Sequence, residues 1–264
     1  MQARTQGTQT LNNGPLIDPT AEIGPYCVIG PDVEIGPRTR LMANNYIDGH
    51  TIIGADNIFY PFSTVGVASQ DKKYKGEPAI TRIGNGNTIR EFVTIHRGTE
   101  GGGALTQIGD RNWLMAYVHI AHDCIVGSDV IFANAVTLAG HVEVQDWASI
   151  GAFSGIHQFC RVGRHAFIGG YSVVTQDVMP FSTTVADREI GVFGANRVGL
   201  ERRDIPNQTI ESLQTAFRLL TRAGLNTSQA VERIEQDLPK TPELTELLQF
   251  IAESKRGVIK GSKP

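Results

Sequence analysis

Residues 108–132 read IGDRNWLMAYVHIAHDCIVGSDVIF, and their apolar heads stand six apart at Ile108, Leu114, Ile120, Val126 and Phe132. The beat extends forward through Leu138, Val144, Ile150, Ile156, Val162 and Ile168 to Val174. It recurs earlier at Ile17, Ile23, Ile29, Ile35, Leu41, Ile47, Ile53, Phe59 and Val65, and again at Ile83, Ile89 and Ile95. Gly often follows the head, as in Ile53-Gly54 and Ile150-Gly151, and the fifth position is usually small or β-branched. A hexapeptide period is the mark of a parallel β-helix, in which each unit is one short strand and a corner, and stacked coils bury a core that no single coil could build. Three hexads close a triangular coil. The twenty-four heads named above therefore predict about eight coils, and at ~4.8 Å per strand step a prism roughly 40 Å tall. A β-sandwich would alternate with period two between irregular turns, which twelve unbroken hexads from Ile108 to Val174 do not do.

The bulk properties narrow the function. A chain of 264 residues with 41% hydrophobic and 19% charged residues has ordinary globular composition. Net charge of −3 and a pI near 6.2 oppose a nucleic-acid binder, which needs a basic surplus to neutralise phosphates. No apolar run reaches eighteen residues, and residues 1–14 are polar, so we expect a flexible N-terminal segment, no integral membrane segment and a soluble cytoplasmic protein. Cys27, Cys124 and Cys160 each occupy the fifth, inward position of a hexad, where packing accounts for them.

The period breaks twice. Between Val65 and Ile83 the heads would fall on Asp71 and Glu77, so Asp71-Lys72-Lys73-Tyr74-Lys75-Gly76-Glu77-Pro78 should project as a loop. Between Ile95 and Ile108 the spacing is thirteen where twelve would keep the beat, and Glu100-Gly101-Gly102-Gly103 supplies a second loop. Loops on a rigid scaffold are where binding concentrates. From about Asn207 the period becomes helical. Ile210, Leu213, Phe217 and Leu220 lie on one helix over Gln208 to Ala223 with Gly224 as its cap, a second helix follows Thr227, and Thr241-Pro242 opens a third toward Gly257. The expected organisation is a β-helix over residues 15–190 and a helical domain over 191–264.

Among the seven histidines, His119, His122, His141 and His157 lie in the second half of the prism. One coil is eighteen residues, so Gly140 should stack on His122 and Gln158 on Gly140, while Asp123 and His141 share the adjacent column. Such a column can do chemistry: His is a general base near neutral pH, and a Gly without Cβ admits a ligand to its N–H, which can stabilise an oxyanion. A plain corner-turning role for Gly140 is the alternative. Strand neighbours face opposite ways, so Asp123 can orient His122 only if the chain bends there.

Several motifs in order, His119-Ile120-Ala121-His122-Asp123-Cys124, Leu138-Ala139-Gly140-His141-Val142, His157-Gln158-Phe159-Cys160, Ile95-His96-Arg97-Gly98-Thr99 and Gln70-Asp71-Lys72-Lys73-Tyr74, resemble the UDP-N-acetylglucosamine O-acyltransferases of lipid A biosynthesis. The resemblance runs from about Leu16 to Ile259. It implies a homotrimer of left-handed parallel β-helices with sites in the clefts between subunits. It also implies transfer of a 3-hydroxyacyl chain from acyl carrier protein to the 3-position of a UDP-sugar, without metal or other cofactor. By motif position His122 would be the general base, Asp123 its partner and Gly140 the oxyanion donor. Gln70, Asp71, Lys73, His96, His119, His141, His157, Gln158, Asn196, Arg202 and Arg203 would contact substrate, and Gly170 would limit acyl length.

The chain departs from that family pattern at Val185-Ala186-Asp187-Arg188-Glu189 and at Val198, which leaves open a sugar hydroxyl or an amine as the acceptor. Arg218 and Arg222, four apart on a helix, with Arg202, Arg203, Lys255 and Arg256, are candidates for docking the acidic carrier. Three rivals remain. A related N-acyltransferase would carry an extra N-terminal domain, for which hexads starting at Ile17 leave no room. A γ-type carbonic anhydrase would need a third metal ligand beside His119 and His122. A non-catalytic solenoid is the third.

Overall fold

The structure is a computed structural model that describes residues 14–187 and 189–260. The polar segment before Gly14, and Arg188, lie outside the described residues.

Twenty-four short strands stack into three parallel sheets, one on each face of a triangular prism. Sheet 1 runs from Leu16–Ile17 to Arg161–Val162, sheet 2 from Glu22–Ile23 to Phe167–Ile168, and sheet 3 from Val28–Ile29 to Val173–Val174. A two-residue strand has no stability alone. Here the strands' backbone amides bond the next coil, as in Gly109 N–H to Val126 C=O at 2.8 Å and Gly127 N–H to Val144 C=O at 2.7 Å. The heads stack in register, Ile108 on Val126 on Val144 on Val162, and from Val33 upward they are essentially dry. The heads of the first coil are the exceptions, Ile17 and Ile23 being 37% and 39% exposed and Ile29 half-buried, because no described coil lies beneath them to cover the end of the core. The coils wind as a left-handed parallel β-helix.

From Arg38 upward the corners turn through residues of positive φ, and each corner column has its own chemistry. Between sheets 1 and 2 stand Arg38 and Asp56, paired at 2.7 Å, then Arg111 and Asp129, also at 2.7 Å, then Trp147, His165 and Phe181. Inside this corner Asn57, Asn87 and Asn112 form a buried amide ladder that bonds the turning backbone. Between sheets 2 and 3 the column is aromatic and exposed: Phe62, Phe92 and Tyr117 stack at 5.0–5.1 Å, and Phe153 and Tyr171 at 5.1 Å. The corner between sheets 3 and 1 carries Asp123, His141 and Phe159.

An antiparallel hairpin, Ser182–Asp187 and Glu189–Ala195, extends sheet 2. The expected division at 190/191 thus falls inside its second strand. Four helices follow: α1 (Arg197–Glu201), α2 (Asn207–Thr221), α3 (Thr227–Asp237) and α4 (Pro242–Glu253). α2 buries Ile210, Leu213, Ala216, Phe217 and Leu220, the stripe its sequence shows. It stops at Thr221, ahead of the expected end, with Arg222 as its cap and Gly224 at φ +70 beyond. Thr241 caps α4 by accepting the Leu244 N–H, with Pro242 in the first turn. α4 ends at Glu253, short of Gly257, where the chain returns to the prism: Ser254 Oγ donates to Asp177 Oδ2 at 2.8 Å, and Ile259 N–H bonds Asp177 C=O at 2.9 Å. Arg164 binds Glu246 of α4 through Nε and Nη2. Among the described residues no helix is long and apolar enough to cross a membrane.

Candidate active site

Both breaks in the period open at one corner. Residues 68–79 join Thr64–Val67 of sheet 3 to Ile80–Ile83 of sheet 1, and residues 97–104 join Thr94–His96 to Leu105–Ile108 across the same edge. Each break replaces a single six-residue step, so the expectation of a twelve-residue interval between Ile95 and Ile108 is corrected: seven residues are inserted where heads normally stand six apart.

Above these loops the stacked column is as the eighteen-residue count requires. His141 N–H bonds His122 C=O at 3.0 Å, and Phe159 N–H bonds Gly140 C=O at 3.2 Å. His122 and Asp123 are neighbours, yet their side chains meet, His122 Nδ1 to Asp123 Oδ2 at 2.8 Å, because Asp123 turns the corner at φ +59. The Asp123 carboxylate is out of solvent. It accepts the Thr99 N–H at 2.8 Å on Oδ1 and the Thr99 hydroxyl at 2.6 Å on Oδ2, so three donors converge on an acceptor-only group. With Asp123 accepting at Nδ1, the His122 proton resides there and Nε2 presents its lone pair. Nε2 has no hydrogen-bond partner among the described residues.

Gly140 lies against the His122 ring. A Cβ added at Gly140 would sit 2.5 Å from His122 Cε1 and 2.6 Å from Nε2. The left-handed residue at this turn is His141, φ +62, so the corner-turning role considered for Gly140 belongs to its neighbour. The Gly140 N–H bonds nothing among the described residues.

The other histidines line the same edge. His141 stacks on Phe159 at 4.4 Å and meets His122 edge-on at 5.0 Å. Burial holds its pKa below the usual value, while the nearby Asp123 and Asp71 charges pull it up. His119 Nδ1 lies 2.7 Å from Thr94 Oγ1 and edge-on to His96 at 5.0 Å. Burial pushes the His96 pKa down to about 4 and lowers that of His119, so both are neutral at pH 7. His157 and Gln158 are exposed, and Arg256 reaches His157 Nδ1 at 3.3 Å. On the loop, Gln70 and Lys73 are exposed, and Asp71 is half-buried with its carboxylate turned back to the Lys73 N–H at 2.9 Å.

Other expected site residues stand elsewhere. Asn196 caps α1, accepting the Gly199 N–H at 3.2 Å and donating to His165 C=O at 3.0 Å. Arg202 and Arg203 follow α1 on the surface, and the Arg203 charge bears on Asp129 and His165, which places it at the corner between sheets 1 and 2. Gly170 is exposed at the corner between sheets 2 and 3, where an added Cβ would lie 3.0 Å from Ala152 C=O. The basic residues considered for carrier docking lie on different elements of the chain. Lys255 and Arg256 line a hollow of about 430 Å³ with Phe159 and Asp177 above the histidines, whereas Arg222 bonds Phe193 C=O on the hairpin. A cavity of about 790 Å³ lies under residues 76–80 against sheet 1 and contains none of the catalytic candidates.

Sequence reasoning missed the roles of Thr99, Thr94 and Phe159. Phe159 was within reach of the eighteen-residue count, since it stacks on His141. His122, Asp123 and His141 also bring three potential metal-binding atoms within 4.8 Å of one another.

A prism of hexapeptide coils bearing a His–Asp pair beside an unbonded Gly amide is the framework of a hexapeptide-repeat acyltransferase. The family described as bacterial transferase hexapeptide (six repeats) matches residues 105–140, and the family described as UDP N-acetylglucosamine O-acyltransferase, domain 2, matches residues 177–259. An acyl-[acyl-carrier-protein]–UDP-N-acetylglucosamine O-acyltransferase of Thermodesulfovibrio yellowstonii is 50% identical over 244 residues, 92% of this chain and 94% of the relative. One of the same name from Verminephrobacter eiseniae is 45% identical over 96% of this chain and 98% of its own. The solved structure of the Francisella novicida UDP-N-acetylglucosamine acyltransferase matches with a TM-score of 0.88 at 35% identity, covering 97% of this chain and 94% of that one. LpxA from Acinetobacter baumannii matches at 0.87 and 42%, covering 93% and 98%. The chain belongs to the UDP-N-acetylglucosamine O-acyltransferase family.

Proposed function

We propose that this acyltransferase moves a 3-hydroxyacyl chain from acyl carrier protein to the 3-hydroxyl of UDP-N-acetylglucosamine, or to the amine of a 3-amino analogue, as the first step of lipid A biosynthesis. The observation that carries the mechanism is the His122 Nδ1–Asp123 contact of 2.8 Å beside the free Gly140 N–H. A sugar hydroxyl is a poor nucleophile at neutral pH. His122 Nε2 takes its proton as the oxygen attacks the thioester carbonyl, and Asp123 stabilises the imidazolium that results. The carbonyl oxygen becomes an oxyanion that accepts the Gly140 N–H. Collapse breaks the C–S bond, and the His122 proton passes to the departing thiolate of the carrier's pantetheine arm.

The reaction calls for no metal or other cofactor in this reading. Both Asp123 oxygens are engaged by Thr99 and His122, so a cation on His122, Asp123 and His141 would have to break the dyad. We further propose a homotrimer acting in the cytoplasm. The histidines, Arg203 and Gly170 occupy three different edges of one prism, and copies packed side by side can bring different edges together. The exposed aromatic column from Phe62 to Tyr171 is an apolar surface of the kind that subunit contacts cover.

The test is an assay with acyl-carrier donors of graded length and UDP-N-acetylglucosamine, reading the product mass. His122→Ala should lower kcat by ~10²–10⁴ while the oligomer stays folded. Chelator-treated protein should remain fully active. Absence of acyl transfer to either the hydroxyl or the amine sugar refutes the substrate reading, and a His122→Ala variant with most of its kcat refutes the base.

A further inference from the structure

We infer that Thr99 is a positioning residue for acyl transfer, holding the Asp123 carboxylate in the one orientation that fixes the His122 ring. The inference rests on the assignment of His122 as base. Thr99 is buried and binds both oxygens of the carboxylate, the backbone N–H on Oδ1 at 2.8 Å and the hydroxyl on Oδ2 at 2.6 Å. A carboxylate held at both oxygens cannot rotate about its Cβ–Cγ bond without losing bonds. Oδ2 is the atom that also receives His122 Nδ1, so its position sets the ring's.

The hydroxyl has no competing local use. Thr99 sits at the N-cap of the short turn Glu100–Gly102, where a Thr side chain ordinarily accepts a backbone N–H, yet it makes no such bond. The rest of its loop is shaped to the same carboxylate. A Cβ at Gly102 would lie 2.1 Å from Asp123 Cγ, and one at Gly98 would lie 2.8 Å from Oδ1. Behind the carboxylate, the Asp123 N–H donates to Thr106 Oγ1 at 2.8 Å, anchoring the backbone from the opposite side. The second loop thus acts as the wall that excludes water from Asp123 and supplies two of its three donors.

The experiment compares Thr99→Val, which removes the hydroxyl and keeps the backbone N–H, with Thr99→Ser, which keeps both donors. Thr99→Val should lower kcat by about 10- to 100-fold with the KM for the sugar nucleotide unchanged, the scale expected when a catalytic group is misplaced by about 1 Å. Thr99→Ser should restore kcat to within roughly threefold of the parent, because the bond to the carboxylate is retained. In an Asp123→Ala background Thr99→Val should change kcat by less than about twofold, since residues acting through one another are not additive. Nitrogen NMR of the His122 ring, which needs no turnover, should show the proton fixed on Nδ1 in the parent and in Thr99→Ser, and distributed over both nitrogens in Thr99→Val. Full kcat in Thr99→Val, a Ser variant as poor as Val, a further loss in the Asp123→Ala background, or an unchanged ring tautomer each overturns the inference. A parent inactive on the proposed substrates would refute the proposed function alone, because the NMR comparison still decides what Thr99 does.

Discussion

Replacing Gly140 by Ala adds one carbon at a place where the structure leaves no room for it. The new Cβ would stand 2.5 Å from His122 Cε1, 2.6 Å from Nε2 and 3.2 Å from Nδ1, where ordinary contact begins near 3.4 Å. The ring must retreat by about 1 Å, and a shift of that size is worth about 10² in rate for a positioned catalytic group. It also strains the 2.8 Å bond to Asp123, so the base loses its orientation together with its place. The backbone imposes no penalty of its own, because the positive φ belongs to His141. Gly140→Ala should therefore lower kcat by about 10²- to 10³-fold with little change in melting temperature, bounded above by the ~10⁴ of complete base loss. Gly155→Ala is the control, since nothing lies within 4 Å of its added Cβ and the fold should accept it. Steady-state kinetics and thermal unfolding of the two purified variants decide the matter. A Gly140→Ala enzyme within threefold of the parent kcat, or one whose loss tracks a large fall in melting temperature, refutes the account of Gly140 as a steric gap kept for His122.

Lys73 is exposed on the loop of residues 68–79 and supports no packing, so Lys73→Ala should raise KM for the sugar nucleotide with unchanged thermal stability; unaltered kinetics would deny the loop a substrate role. Gly170→Met should move donor preference toward shorter acyl chains, each rejected methylene costing on the order of 1 kcal/mol, and equal relative kcat/KM across a donor series would remove Gly170 from the acyl path. His165, stacked between Trp147 and Phe181, has its pKa pushed down to about 4, first by burial and then by Arg164 and Arg203. The unfolded chain binds its proton near pH 6.5 while the folded one does not, so stability falls as pH drops from 6.5 toward 4. Between pH 6.5 and 5 this amounts to about 1.5 kcal/mol. Denaturation of His165→Gln should show that much less acid sensitivity, and an unchanged pH slope would contradict the shift.

The heads of the hexads made the prism readable because one apolar residue per strand fixes both the face and the coil. Eighteen-residue arithmetic then stacked His122, Gly140 and Gln158, and it holds wherever the period is unbroken. It fails across the loops. Ile95 pairs with Ile120, twenty-five positions on, because residues 97–104 lengthen the coil, and so Thr94 meets His119 and Thr99 meets Asp123 at intervals no fixed period supplies. Asn196, Arg202 and Arg203 lie past the last hexad, where the sequence shows the stripe of α2 but nothing that says which prism edge α1 will reach. Of the departures, Arg188 lies outside the described residues, whereas Val198 is exposed on α1, as a surface position near Arg202 would be.

The site's place on a corner follows from the geometry of a strand. Adjacent residues of a strand point to opposite faces, so on any flat face of the prism a His and the Asp after it would be separated by the sheet. At a corner the second residue enters the left-handed region, as Asp123 does at φ +59, and the two side chains come to the same side. The fold demands that conformation at corner after corner, and His141 and Phe159 adopt it in the next two coils at φ +62 and +64. The cost of a left-handed non-Gly residue, about 1–2 kcal/mol, is thus met by the stacking of the whole column and is not a special expense of the His122–Asp123 pair. A corner is also where extra residues can be inserted without disturbing strand register, which is how the loops of residues 68–79 and 97–104 come to stand beside the dyad. One loop closes over Asp123, and the other brings Asp71 close enough for its charge to act on His141. A dyad of sequence neighbours and a pair of covering loops therefore require the same edge, and this prism puts them on it.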